Sequence, residues 1–73
     1  MEKDTDILIK FGEAVKLLRK NQGISQEELA HRADVHRTYI GMIERAEKNI
    51  TLINIEKISK ALNVTVHELF NYV

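Results

Sequence analysis

The chain has 73 residues with no cysteine, proline or tryptophan, and its 11 basic and 11 acidic side chains give a formal charge of zero. At this length there is one domain with one small core, no disulfide to staple it, and stability that must come from regular helix packing or from oligomerisation. Apolar runs only a few residues long exclude a membrane-spanning helix, and Met1-Glu2-Lys3-Asp4 lacks the basic start and apolar stretch of a signal peptide, so a cytoplasmic location is expected.

Residues 1–5 read as a loose N-terminal extension. From Asp6, the residues Ile7, Phe11, Ala14, Val15 and Leu18 recur at three- and four-residue spacing, which predicts a first helix with one buried stripe. Leu17 lies off that stripe. Gly23 closes the helix in the left-handed conformation. Ser25-Gln26-Glu27-Glu28 has the spacing of a capping box and opens a short second helix, with Leu29, Ala30 and Ala33 as its apolar face. Asp34-Val35 interrupts it before a third helix from about His36 to Ala46. Thr51 caps a fourth, whose stripe is Leu52, Ile55, Ile58 and Leu62. Asn63 closes that helix, and Thr65-Val66-His67-Glu68 is a second capping box leading into a last short helix through Leu69 and Phe70. Five short helices with tight connections predict a compact all-α domain.

Residues 25–45 carry the functional signal. Two short helices joined by a few residues, with Ala30 where backbones approach and Val35 plugging the turn, have the layout of a helix-turn-helix. On a helical wheel, Ile40 and Ile43 share the core side of the third helix. Arg37, Thr38, Gly41, Met42 and Arg45 spread over the other side. That side suits base edges and phosphates: arginine bonds guanine bidentately, and threonine offers a hydroxyl or a methyl. Gly41 lets the helix backbone sit close to whatever lies opposite. Gln26, in the first turn of the second helix, is placed to clamp a phosphate, and Lys48 and Asn49 to grip the next ones along. A charge of zero does not oppose this reading. Glu2, Asp4 and Asp6 fall at the N-terminus and Glu44 has an internal partner, which leaves Arg37, Arg45 and Lys48 as a local positive strip.

The patterns Val15-x-x-Leu18-Arg19, Gly23-Ile24-Ser25-Gln26-Glu27-Glu28-Leu29-Ala30, Ile40-x-x-Ile43-Glu44-Arg45 and Ala61-Leu62-Asn63-Val64 resemble the helix-turn-helix domains of lambdoid phage repressors and Cro. Within that family, Arg37-Thr38-Tyr39-Ile40 followed by Ile43-Glu44-Arg45 most resembles the controller proteins of restriction–modification systems. The resemblance implies a lambda repressor-like fold and a small dimeric regulator that binds pseudo-palindromic operator DNA to activate or repress. It implies that Arg37 and Thr38 read bases and that Gln26, Tyr39, Arg45 and Asn49 contact the DNA backbone. His36 is implied to start the recognition helix, and Arg19 with Glu44 to form a buried ion pair. Met42 departs from the family pattern, because many relatives place a polar reader there and Met42 offers only apolar contact. Glu27 resembles the acidic activating position of phage repressors, which implies a surface for RNA polymerase. A phage-type or developmental repressor, or the antitoxin half of a toxin–antitoxin pair, is the alternative reading.

Ile50, Ile53, Tyr72 and Val73 fall outside the helix stripes and, with Phe70, predict a two-fold dimer face in the region 50–73. No catalytic set is present: Gly-x-Ser-x-Gly, a phosphate loop and a cysteine nucleophile are all missing. No enzyme activity, cofactor or small-molecule substrate is expected. His31 and His36 are five apart, which does not align two ligands on one helix face, so no metal site is expected either.

Overall fold

Most helix boundaries rest on signals carried by a few local residues. The computed structural model describes residues 6–73, in which α1 spans Asp6–Asn21, α2 Gln26–Ala33, α3 Arg37–Glu44, α4 Leu52–Ala61 and α5 Val66–Phe70. The expected extension at 1–5, with Glu2 and Asp4, lies outside the described residues, and among those described there is no strand. Ser25, Thr51 and Thr65 are extended, and their hydroxyl oxygens accept from the N–H groups of Glu28, Asn54 and Glu68 at 3.0, 3.1 and 3.0 Å. Each such cap stabilises its helix by about 0.5–2 kcal/mol. The full capping box closes only at Thr65, whose N–H donates to Glu68 Oε1 at 2.9 Å and, with the hydroxyl, holds that carboxyl below its ordinary pKa. At Ser25 the box stays half made, because the Glu28 carboxylate takes Arg32 Nε at 2.8 Å one turn along instead.

The ends of α1 to α4 repeat one geometry. Gly23, Asp34, Ala46 and Asn63 are left-handed, with φ of 70°, 57°, 60° and 61°. After each, the next N–H reaches back five residues, from Ile24 to Arg19, Val35 to Ala30, Glu47 to Met42 and Val64 to Ser59, at 3.3, 3.0, 2.8 and 3.0 Å. This is the Schellman closure, which is often sealed by an apolar contact from the residue after the left-handed one. Ile24, Val35 and Val64 make that contact with the core. The same closure corrects the predicted extent of the third helix: Ala46 turns left-handed, so α3 stops at Glu44 and does not run on to Ala46.

Val15, Leu29, Ile40, Ile58, Leu62 and Leu69 are fully buried and join all five helices in one core. Two expected stripe positions lie outside it. Ile7 is 50% exposed and Leu52 84% exposed, each in the first turn of its helix. Gln22 ties the end of α1 to the end of α4, with Nε2 donating to the carbonyl of Leu62 at 2.6 Å.

Gly12 sets how closely α1 and α3 approach. A methyl group there would lie 2.5 Å from the carbonyl oxygen of Ile43, a backbone atom with no side-chain freedom to yield. Gly12→Ala should therefore destabilise by about 1–3 kcal/mol through overpacking, although alanine is intrinsically the better helix former by about 1 kcal/mol. A urea titration checks the sign, and an unchanged or higher midpoint would show that the two helices can part.

Candidate nucleic-acid interface

α3 is short, and its burial is one-sided. Ile40, Gly41 and Ile43 are buried, whereas Arg37 and Thr38 in the first turn are exposed. His36 fixes where that turn begins: its Nδ1 accepts the N–H of Thr38 at 3.1 Å, so an imidazole does the work that serine or threonine does at α2, α4 and α5. The exposed pair thus starts from a capped helix end that points away from the core. Glu27 of α2 stands nearby, with its carboxylate 3.6 Å from Arg37 Nη1.

Gln26 opens α2 and is half-buried. Its Nε2 donates to Glu44 Oε1 at 3.0 Å. The same carboxylate accepts Arg19 Nε on Oε2 at 2.7 Å and Arg19 Nη2 on Oε1 at 3.0 Å, a two-point pair with side chains 11% and 3% exposed for Arg19 and Glu44. Bonding to Glu44 raises the Arg19 pKa against the opposing effect of burial. Arg19 Nη1 donates in addition to the carbonyl of Ile24 at 3.0 Å, just ahead of the Ser25 cap. One buried node therefore holds α1, α3 and the start of α2 in register. Among the described residues, every buried side-chain polar atom has a partner.

The structure gives Gly41 a different neighbour from its sequence reading and sets Tyr39 and Met42 partly into the fold. Gly41 is buried beneath its own helix's Arg45, whose Nη1 would lie 3.0 Å from a methyl at that position, so the close approach is to this guanidinium and not to an outside surface. Tyr39 is half-buried against the core, and its hydroxyl accepts Asn54 Nδ2 at 2.9 Å, which links α3 to α4 and leaves the phenolic proton to donate outward. Met42 is half-buried. Lys48 and Asn49 are exposed just past the α3 closure.

The basic strip is not the set of free cations its composition implies. Arg45 Nε lies 3.0 Å from Glu47 Oε2, as Arg37 lies beside Glu27, so two of the three bases carry a carboxylate neighbour. Exposed pairs of this kind are worth about 0–1 kcal/mol and are screened by salt, so a phosphate can displace them. Neither proximity is visible in sequence, because each depends on where a turn sets the next side chain.

Between α4 and α5, Leu52, Ile53, Ile55, Glu56, Val66 and Phe70 line an apolar groove of about 350 Å³. Ile53 is 70% exposed, Phe70 and Tyr72 are exposed, and the Phe70 ring leans on Phe11 with centroids 5.6 Å apart. Ile50 and Val73, expected on this face, are instead half-buried against the core. Leu52 and Val66 stand on the open face in their place, and the Leu52 signal was hidden by its fit to the α4 stripe. Among the described residues no group of three or more His, Cys, Asp or Glu could hold a metal ion, and no helix is long and apolar enough to cross a membrane.

Arg45 offers a check on how this face would meet a polyanion. Arg45→Ala should reduce the slope of log affinity against log salt by about one contact while leaving base preference unchanged. Gel-shift titrations at several salt concentrations read both quantities, and an altered base preference would make Arg45 a reader instead.

Comparison with known proteins identifies the family and the fold. Residues 15–69 match the family model described as helix-turn-helix. The chain is 46% identical over 67 residues to the control protein C.MunI of a Mycoplasma species, spanning 90% of each chain. It superposes on the restriction-modification controller protein C.AhdI from Aeromonas hydrophila with a TM-score of 0.85 at 42% identity, over 88% of this chain and 97% of that one. A TM-score of 0.85 at 36% identity relates it to the controller protein C.Esp1396I, as a tetramer in complex with its natural 35 base-pair operator, over 96% of this chain and 90% of that one.

Proposed function

The chain belongs to the helix-turn-helix family, among the relatives of restriction–modification controller proteins, and from that premise we propose that it regulates transcription by binding an operator as a homodimer. The observation that carries the reading is the capped, outward-facing start of α3, where Arg37 and Thr38 are exposed on the side opposite Ile40 and Ile43. Arg37 and Thr38 read base edges in the major groove. Gln26, Tyr39, Arg45, Lys48 and Asn49 hold the phosphates on either side, His36 sets the helix start, and Met42 packs against the groove, with a thymine methyl as its natural contact.

The groove between α4 and α5 is the dimer face, within the region 50–73, with Ile53 and Phe70 lining it beside Leu52 and Val66, and the exposed Tyr72 adds to the same face. Burying these side chains against a second copy stabilises a domain too small to be very stable alone. Ile53→Asp should leave the helical content intact and shift the protein to monomer, which sedimentation equilibrium reads. A variant that stays dimeric would place the interface elsewhere.

A two-fold dimer presents its recognition helices about one DNA turn apart, roughly 34 Å. Selection from a pool of random duplexes should return inverted half-sites with centres about ten base pairs apart. Unrelated single sites, or no enrichment, would overturn the reading. Glu27 is exposed beside Gln26 on the DNA side and is the candidate surface for polymerase when the regulator activates.

A further inference from the structure

The node under α2 does more than join helices. An ionised carboxylate only accepts hydrogen bonds, so Glu44 can be bonded by the nitrogen of the Gln26 amide and not by its oxygen. That settles which way the amide faces. One N–H of Nε2 is committed inward at 3.0 Å to Glu44 Oε1, and the second stays free to donate to another acceptor. The backbone N–H groups of Gln26 and Glu27, ahead of the Glu28 N–H that Ser25 caps, have no helical partner and suit the same acceptor. Arg19 neutralises Glu44 by its two-point contact and is itself anchored to Ile24, so the buried carboxylate does not repel an anion that approaches Gln26.

We propose that Glu44 is a positioning residue for DNA binding: by taking one N–H of the Gln26 amide it turns the other toward a DNA phosphate, so that Nε2 bridges two anions, one inside the fold and one on the DNA. The inference rests on the reading that Gln26 holds a phosphate. Without Glu44 the amide rotates freely and presents its oxygen to the phosphate in part of its conformations, which repels where the nitrogen attracts. The ion pair thereby couples the docking of α1 on α3 to one contact on the DNA backbone.

The test is a thermodynamic cycle on affinity for a selected operator duplex, in the dimeric full chain, with folding checked by thermal melting. One arm is Gln26→Ala, and the other replaces the pair with apolar residues, Arg19→Met with Glu44→Leu, an exchange that buried pairs often tolerate. Glu44→Gln, which keeps the volume but leaves one acceptor oxygen where there were two, runs through the same cycle and serves if the apolar exchange does not fold. Gln26→Ala should lower affinity about tenfold, as a hydrogen bond to a charged group does. Removing Glu44 should lower it nearly as much in the parent and less than about threefold when Gln26 is already alanine. The salt slope should stay the same in Gln26→Ala, in the apolar exchange and in their combination, because a neutral amide and an ion pair of no net charge release no counterion. If the Gln26→Ala loss appears but the two effects multiply, Glu44 is structural only and the positioning role is overturned. If Gln26→Ala changes nothing, the phosphate contact itself is absent, and the inference falls with it.

Discussion

Glu44→Ala is expected to lower the free energy of unfolding by about 3–5 kcal/mol, the cost of stranding a buried charge whose partner has been removed. Glu44 accepts three hydrogen bonds, two from Arg19 and one from Gln26, and its side chain is almost wholly screened from water. Removing it leaves a guanidinium that is mostly buried, has a single remaining carbonyl partner at Ile24, and cannot shed its proton at any ordinary pH. Small domains have unfolding free energies toward the lower end of about 5–15 kcal/mol, so the variant should be close to half-unfolded at room temperature. Chemical denaturation at fixed protein concentration reads the change, the concentration being fixed because a dimer's stability depends on it. The apolar exchange of both partners should recover most of the loss. A loss under about 1 kcal/mol for Glu44→Ala would mean that Arg19 swings out to water and that the node is not a constraint.

Arg37→Ala should have the largest effect on DNA binding with no effect on folding. Its side chain is mostly exposed and its one near partner is an exposed carboxylate 3.6 Å away, so truncation removes nothing from the core. A bidentate contact to guanine is worth about 1–3 kcal/mol of discrimination against the wrong base. The operator affinity should fall by roughly 5- to 150-fold, with preference lost at one position of each half-site. Binding to a scrambled duplex should change far less. If affinity falls by the same factor on both duplexes, Arg37 holds a phosphate and the readout belongs elsewhere on α3.

The fold was legible wherever a short stretch carries its own instruction. Ser25, Thr51 and Thr65 are cap residues at the right spacing, and Gly23 and Asn63 are types that tolerate a positive φ. Asp34 is another such type, but Ala46 adopts the same conformation without one, and alanine has no side-chain hydrogen bond to compensate, so the sequence places the end of α3 two residues late. Periodicity marks a buried face but not how far along the helix burial extends, so Ile7 and Leu52 fit their stripes and yet stand exposed. Gly12 gave no signal at all, since a mid-helix glycine means something only once Ile43 of another helix lies against it.

The candidate site divides in the same way. Exposure of Arg37 and Thr38 follows from the α3 stripe and was readable on a wheel. The bond from Gln26 to Glu44, the carboxylates beside Arg37 and Arg45, and the inward packing of Ile50 and Val73 all depend on how helices dock and turns swing, and no local pattern encodes them. The neutral charge takes on a physical meaning here. With Glu27 and Glu47 beside two of the basic side chains, the local positive field is weakened, and under the proposed function site choice would rest on a few contacts on α3 and on dimer geometry.

The most direct test of sequence-specific DNA binding is a gel-shift titration of the purified protein against fragments of its own genomic neighbourhood and a scrambled duplex of equal length, at two salt concentrations. One fragment should bind at least about 1,000-fold more tightly than the scrambled duplex, and the ratio should persist as both affinities fall with salt. Equal affinity for every fragment, collapsing together as salt rises, would contradict the account.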